Sequence, residues 1–247
     1  MSKSIILITG ANSGIGYATT QVIASHADYH VVMGCRDLDK GKKALSEIQA
    51  SGIRGTLSLL QIDVTSESSI SAAVNEIDRD FGHVDIFISN AGTAAPSESG
   101  RDKLKTIFDI NVFGAMLVSE AFVPLLLKSG RPYLIQISSG LGSLGMAADP
   151  NGPLYQSLWD EYRMSKAALN MMTLQMHKRL SADNIRVFAV CPGLVRSRLR
   201  GESEAAVSAG GAAGDPLVSG KLIMDIILGK RDDSVGLFVH KNGTYPW

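Results

Sequence analysis

Tyr162 and Lys166 stand four residues apart in the run Tyr162-Arg163-Met164-Ser165-Lys166-Ala167-Ala168-Leu169. On a helix that spacing puts a phenol and an ammonium on one face, a turn apart. Met164, Ala167, Ala168, Leu169, Met171 and Met172 are acceptable helix formers and no Pro or Gly intervenes, so a helix is the expected carrier. An ammonium beside a phenol favours the phenolate, so the Tyr162 pKa is expected to fall towards the working pH. A phenol tuned that way gives a proton to a carbonyl oxygen and later recovers it. An amphipathic surface helix produces the same pair, so its weight depends on what lies upstream.

The elements that must position the pair follow from composition and pattern. A chain of 247 residues, 45% hydrophobic and with mean hydropathy +0.11, buries a sizeable core and suits one domain over residues 1–247. Formal net charge is +0 and the longest basic tract is Lys42-Lys43, which argues against nucleic acid or acidic lipid as partner. The apolar run Ile5-Ile6-Leu7-Ile8 is too short for a signal peptide or membrane span and Gly10 stops it. A soluble, cytoplasmic protein is the expectation. Cys35 and Cys191 are too few for a disulfide scaffold and read as small packing residues at strand ends. The five histidines show no metal-ligand spacing, so no metal is expected. Asn242-Gly243-Thr244 matches a glycosylation sequon but reads as a turn.

Apolar runs at 4–9, 29–35, 57–62, 84–89, 133–137, 185–190 and 236–239 read as strands. Helical patterns fill the intervals, from after Gly16 to about His26, then over 38–50, 66–80, 103–128 (two stretches), the Tyr162 region and 216–228. Strands that are continuous in apolar character, alternating with helices, call for a doubly wound α/β fold: a parallel sheet with helices on both faces. Residues 200–215, rich in Gly, Ala and Ser, show no period and read as a mobile loop.

In such a sheet ligands bind beyond the carboxyl ends of the strands. The segment Thr9-Gly10-Ala11-Asn12-Ser13-Gly14-Ile15-Gly16 joins the first strand to the first helix. Its glycines admit a pyrophosphate close to backbone N–H groups at a helix N-terminus, although Gly-x-x-x-Gly-x-Gly is not the commonest dinucleotide spacing. The second strand ends in Cys35-Arg36, where an acidic residue would accept hydrogen bonds from an adenosine ribose. Arg36 instead suits a 2′-phosphate, with Lys40 one turn on as a helper, so NADP(H) is the expected cofactor. The alternative is a local ion pair of Arg36 with Asp37 or Asp39. Asp63-Val64 can contact adenine, or simply precede the helix that Ser66 caps.

Thr9-Gly10-x-x-x-Gly14-x-Gly16, Asn90-Ala91-Gly92, Asn111, Ser139, Tyr162-x-x-x-Lys166 and Pro192-Gly193 occur in the order found in the classical short-chain dehydrogenase/reductases, which this chain resembles over its whole length. The Tyr162–Asn170 stretch and the C-terminal Asn242–Trp247 look most like the carbonyl-reductase branch that includes the sniffer proteins. The resemblance implies a tetrad. Tyr162 would protonate the substrate oxygen, Lys166 would lower its pKa and bind the nicotinamide ribose, Ser139 would hold the carbonyl, and Asn111 would support a water-linked relay. Ser138 competes with Ser139 for that role. Gly10, Asn12, Ser13, Gly14, Ile15, Gly16, Arg36, Asp63, Val64, Asn90, Ala91, Gly92, Pro192, Gly193, Val195 and Ser197 would join Tyr162 and Lys166 around the cofactor. Leu141, Trp159 and Leu194, with Ser139 and Tyr162, would meet the substrate, and Leu199 is a further pocket candidate.

Three departures from the family pattern carry weight. Ser13 stands where some NADP-dependent relatives have a basic residue. The interval from Ser139 to Tyr162 is long, so residues 144–160, with Met146, Pro150, Pro153, Leu154, Tyr155 and Trp159, are expected beside the substrate. Loop 200–215 is a lid ordered by ligand or a disordered connection. The implied function is NADPH-dependent reduction of a ketone or aldehyde, a ketoreductase acting on a carbonyl compound of moderate size and mostly apolar character with pro-S hydride transfer. The alternatives are a cofactor-binding homologue without redox activity, either an NADP(H)-sensing regulator or a cyclase-like enzyme, and an NAD-dependent alcohol dehydrogenase. The family assembles as dimers or tetramers, its carbonyl-reductase branch also as monomers, and the sequence leaves the oligomeric state open.

Overall fold

The computed structural model describes residues 3–94 and 97–247; Met1 and Ser2 of the N-terminal run lie outside them. The chain alternates β1 (Ser4–Thr9), α1 (Gly14–Ala24), β2 (Tyr29–Cys35), α2 (Leu38–Ala50), β3 (Thr56–Gln61), α3 (Glu67–Phe81) and β4 (Ile86–Ser89). It continues through α4 (Gly100–Phe108), a π-helical turn (Asp109–Gly114), α5 (Ala115–Leu126), β5 (Tyr133–Ile137), α6 (Leu144–Ala148), α7 (Asp160–Leu180) and β6 (Arg186–Val190). The last elements are α8 (Glu204–Val207), α9 (Leu217–Ile227), β7 (Phe238–His240) and β8 (Gly243–Tyr245).

The strands form one sheet in the order β3-β2-β1-β4-β5-β6-β7-β8, parallel throughout except for the antiparallel β7–β8 hairpin. The expected parallel sheet with helices on both faces is therefore what the chain builds. The sequon segment is the hairpin itself, with Gly243 opposite His240. Because successive side chains of a strand point to opposite faces, each buried strand feeds two cores. Ile6 and Ile8 of β1, Val31 and Met33 of β2, and Ile86 and Ile88 of β4 pack with Ile23 of α1, Ile48 of α2 and Ile223 of α9. Ile5, Leu7, Val32 and Phe87 pack on the other face with Ile70 of α3, Phe122 of α5 and Met176 of α7. The helical run Gly100–Leu126 is long and apolar enough by composition to cross a membrane. Here the inner face of α5, with Val118, Phe122 and Leu125, belongs to the core of the sheet.

The chain winds outward from β1 to β3 and then returns to β4 on the other side, so the sheet reverses between β1 and β4. The loops after those two strands part there and leave a crevice. Asn90 ties the crevice's two sides together, its N–H donating to Thr9 Oγ1 (2.9 Å) and its Nδ2 to Thr9 O (2.8 Å).

Segment 200–215 departs from the expected structureless loop. It holds α8 and a second short turn at Ala209–Gly211, and Val195 pairs in parallel with Gly214. Arg196 N donates to Gly214 O (2.9 Å) and Gly214 N to Leu194 O (3.0 Å). The order comes from backbone pairing and caps, such as Ser203 Oγ accepting from Ala206 N (3.2 Å), which hydrophobic period does not report.

Helix α7 sits close to the loop after β5 because Gly142 has no side chain. A Cβ there would lie 2.6 Å from the Lys166 carbonyl carbon and 2.7 Å from its Cβ. Gly142→Ala is expected to push α7 outward and cost about 1–3 kcal/mol; chemical denaturation with an unchanged midpoint would show that the contact is not tight.

Candidate functional site

The crevice is a cavity of about 820 Å³ running from Arg36, Asp63 and Val64 at one end to Tyr162, Ser139 and Trp159 at the other. Gly10, Asn12, Ser13, Ile15, Asn90, Ala91 and Gly92 line its middle, and Lys166, Leu141, Pro192, Gly193, Leu194, Val195, Ser197 and Leu199 line it as well. Gly14 and Gly16 serve the site from behind. A Cβ on Gly16 would lie 2.4 Å from Gly10 O and 2.6 Å from Asn90 Nδ2, so glycine is what lets α1 start against the loop. Gly14, at φ +54°, faces Ser197, whose Oγ is 3.1 Å from where a Cβ would stand.

At the far end Arg36 is exposed, and among the described residues it makes no ion pair. Asp37 instead caps α2, its Oδ1 accepting from Asp39 N (3.0 Å) and Lys40 N (3.1 Å), while Asp39 pairs with Lys42 (3.4 Å). The local ion-pair alternative thus fails. Lys40 is drawn to Asp37 (3.8 Å) and does not line the cavity, so the helper role expected of it is corrected. Asp63 lines the cavity with its carboxylate turned to Thr65, and Ser66 caps α3 through Ser69 N (3.3 Å).

At the near end Tyr162 and Lys166 share a buried face of α7, 7% and 4% exposed. The expected fall in the Tyr162 pKa does not occur. Burial drives it above the ordinary phenol value, with Ser139 and Arg200 pulling it back and the Cys191 thiol adding to the rise. Lys166 Nζ lies 5.7 Å from the centre of the Tyr162 ring and donates to Ile137 O (2.9 Å), so its attraction is spent on a carbonyl. Its own pKa is pushed down to about 8 by the same dehydration. Tyr162 is therefore a neutral phenol at neutral pH, a proton donor in waiting.

Ser138 and Ser139 both line the cavity, but their hydroxyls have different partners. Ser138 Oγ, 2% exposed, donates to Asn170 Oδ1, whose Nδ2 holds Gly142 O (3.1 Å). Ser139 Oγ accepts from Leu141 N (3.2 Å) and acts to lower the Tyr162 pKa. Ser139 is the hydroxyl available to a ligand. Asn111 does not line the cavity. Its Oδ1 accepts from Thr93 N (2.8 Å), and its Nδ2 donates to Thr93 O (2.8 Å) and Ser165 Oγ (3.0 Å). With both amide hydrogens committed, Asn111 ties the loop after β4 to α7, and only Oδ1 keeps a free acceptor position, beside Gly92. The π-helical turn that carries it widens the helix at this point, as such turns do near sites.

Of the long segment before α7, Leu154, Ser157, Leu158 and Trp159 line the cavity, whereas Met146, Pro150, Pro153 and Tyr155 do not. Arg163 fastens it, donating to Leu154 O (2.9 Å) and Ser157 O (2.6 Å). Trp159 holds a left-handed backbone (φ +84°) at the start of α7. The sequence reading missed Cys191, Arg200 and Tyr245. Cys191 was expected only to pack, yet it lines the cavity and its Sγ accepts from Gly140 N (3.1 Å), with its pKa raised by burial. Cys35, pushed up to about 11, stays a packing residue. Tyr245 arrives through the β8 hairpin.

Residues 4–208 match the sequence model of the family described as short chain dehydrogenase. The chain belongs to that family. It is 34% identical to the short-chain dehydrogenase/reductase tropE of Talaromyces stipitatus, covering 98% of this chain and 96% of that one. It is 33% identical to eupG of a Phoma species, covering 99% and 98%. In fold it is similar to the NADPH-bound carbonyl reductase from chicken fatty liver, with a TM-score of 0.83 at 24% identity over the whole of both chains. A short-chain dehydrogenase is an oxidoreductase that binds a nicotinamide cofactor and acts on a small-molecule substrate. The residues present fit such a dinucleotide: glycine-bared backbone at the α1 N-terminus, whose Ser13 leaves the first N–H groups uncapped, and a cavity long enough to reach Tyr162.

Between pH 8 and 10.5 the unfolded chain holds more protons at Lys166 than the folded one, so this residue makes stability rise with pH in that window. The buried charge costs on the order of 3 kcal/mol below pH 8. The stability of wild type minus that of Lys166→Met should therefore climb from pH 8 to 10 in denaturant titrations; a flat difference would mean that Lys166 is hydrated.

Proposed function

We propose that this short-chain dehydrogenase reduces a ketone or aldehyde to the alcohol with NADPH, as a cytoplasmic carbonyl reductase. The observation that carries the reading is a single cavity with an unpaired cation, Arg36, at one end and a protonated phenol beside a free hydroxyl, Tyr162 and Ser139, at the other. When bound, the nicotinamide supplies a hydride to the carbonyl carbon. Tyr162 Oη gives its proton to the oxygen as negative charge develops there, and Ser139 Oγ donates a second hydrogen bond to it. The resulting phenolate regains a proton from solvent, and the Lys166 ammonium near its ring stabilises it in the interval.

Arg36 supports NADPH over NADH, because a guanidinium can hold a 2′-phosphate bidentately and among the described residues no carboxylate forms an ion pair with it. The carbonyl reductase of similar fold is NADPH-bound by its own description, which agrees with that choice. Leu141, Leu154, Leu158, Trp159 and Leu194 give the substrate end an apolar wall.

Tyr162→Phe should lower turnover by about 10²–10⁴-fold while NADPH still binds; unchanged turnover would sink the assignment of the proton donor. In thermal unfolding, NADPH at about a hundred times its dissociation constant should add ~2.7 kcal/mol, a rise of roughly 5–10 °C. Arg36→Ala should remove most of the NADPH shift and leave that with NADH. A protein that prefers NADH from the outset would overturn the cofactor assignment while leaving the family untouched.

A further inference from the structure

The near end of the cavity carries more positive charge than proton transfer uses. Arg200 closes the short turn Arg198–Arg200, lines the cavity, and its charge acts on Tyr162. Its Nε donates to Ala206 O (3.0 Å), and its Nη2 to Val195 O (2.8 Å) and Val207 O (2.9 Å). Those bonds use three of the five guanidinium hydrogens, and among the described residues the two on Nη1 have no acceptor. Among the described residues no carboxylate pairs with it either. Arg196 holds Glu204 (2.9 Å); Glu202 lines the cavity too, but paired with Arg198 (3.7 Å), while Asp63 stands at the opposite end, turned to Thr65. Partial burial pulls the Arg200 pKa below its ordinary value, with Tyr162 acting against the fall.

The platform beneath it is fixed. Ser197 Oγ accepts from Leu199 N (3.1 Å), Ser197 N donates to Val207 O (3.3 Å), and Val195 pairs with Gly214. A guanidinium clamped through Nε and Nη2, with Nη1 left over, in a cavity whose substrate end also carries Leu141, Leu154, Leu158 and Leu194, is preorganised for a planar anion.

We propose that Arg200 is a specificity-determining residue that receives an anionic oxygen group of the substrate, a carboxylate or enolate, so that the preferred substrates are carbonyl compounds carrying negative charge on a mostly apolar body. The inference rests on the carbonyl-reductase reading for the group being reduced, and on Arg200 alone for the charge. The same chemistry would also suit a cofactor phosphate, so both sources belong in one experiment.

The test uses three matched pairs, each an acid and its methyl ester: phenylglyoxylate, 3-benzoylpropionate and 4-acetylbenzoate. NADPH oxidation gives kcat/KM for each, and quenching of tryptophan fluorescence in the NADP-loaded protein gives binding without turnover. At least one acid should exceed its ester by roughly tenfold. Arg200→Met should bring that ratio close to one, and Arg200→Lys should restore part of it, with NADPH affinity changed little. A variant whose loop merely loosens would lower acid and ester together and keep their ratio, which would overturn the proposal. So would equal handling of acid and ester by wild type, or a loss of NADPH affinity with the ratio intact. If no pair oxidises NADPH, carbonyl reduction of this class fails, and the acid-to-ester binding ratio still decides the role of Arg200.

Discussion

Lys166 brings an ammonium to a place only 4% exposed, where one backbone carbonyl, Ile137 O, receives it. Keeping it there is costly, since dehydration alone drives its pKa down to about 8. The neighbouring structure is arranged around that cost. Gly142 and Gly92 lack the side chains that would fill the space, β5 ends where its last carbonyl can accept, and Asn111 with Ser165 stitches the loop after β4 to α7. The same dryness keeps Tyr162 protonated beside Ser139. The raised pKa of Tyr162 and the lowered one of Lys166 thus have one cause.

The parallel sheet brings these groups together without further devices. With β1 to β7 running one way, the loops that follow them all reach one edge. Glycines of the β1–α1 loop, Asn90 after β4, Ser139 after β5 and Pro192-Gly193 after β6 meet there although they are far apart in the chain. The reversal between β1 and β4 separates two of those loops and makes the long cavity, with charge at its two ends: Arg36 at one, Lys166 and Arg200 at the other.

Burial decides what each polar side chain does here more than its type. Ser138 and Ser139 are chemically identical neighbours, yet a buried Asn170 takes one and leaves the other to the cavity. Asp37 is absorbed by a helix cap, and among the described residues Arg36 forms no ion pair. Arg200 both fastens a loop and keeps one edge of its guanidinium open, the two edges serving different ends.

The sequence by itself determined the doubly wound sheet, the family, and the positions of Gly10, Asn90, Ser139, Tyr162, Lys166 and Pro192. These follow from local pattern: apolar runs of strand length, glycines at a helix start, and a four-residue interval on a helix. Only the tertiary structure decided the protonation states, because dehydration depends on what packs around a group from distant parts of the chain. It reversed the expected shift of Tyr162, drew Lys40 to Asp37, committed Asn111 to Thr93 and Ser165, and ordered 200–215 through pairing between Val195 and Gly214. It also brought Tyr245, Cys191 and Arg200 to the cavity. No short-range pattern marks them, since each arrives by a hairpin, a strand end or a capped turn whose place is set by contacts many residues away.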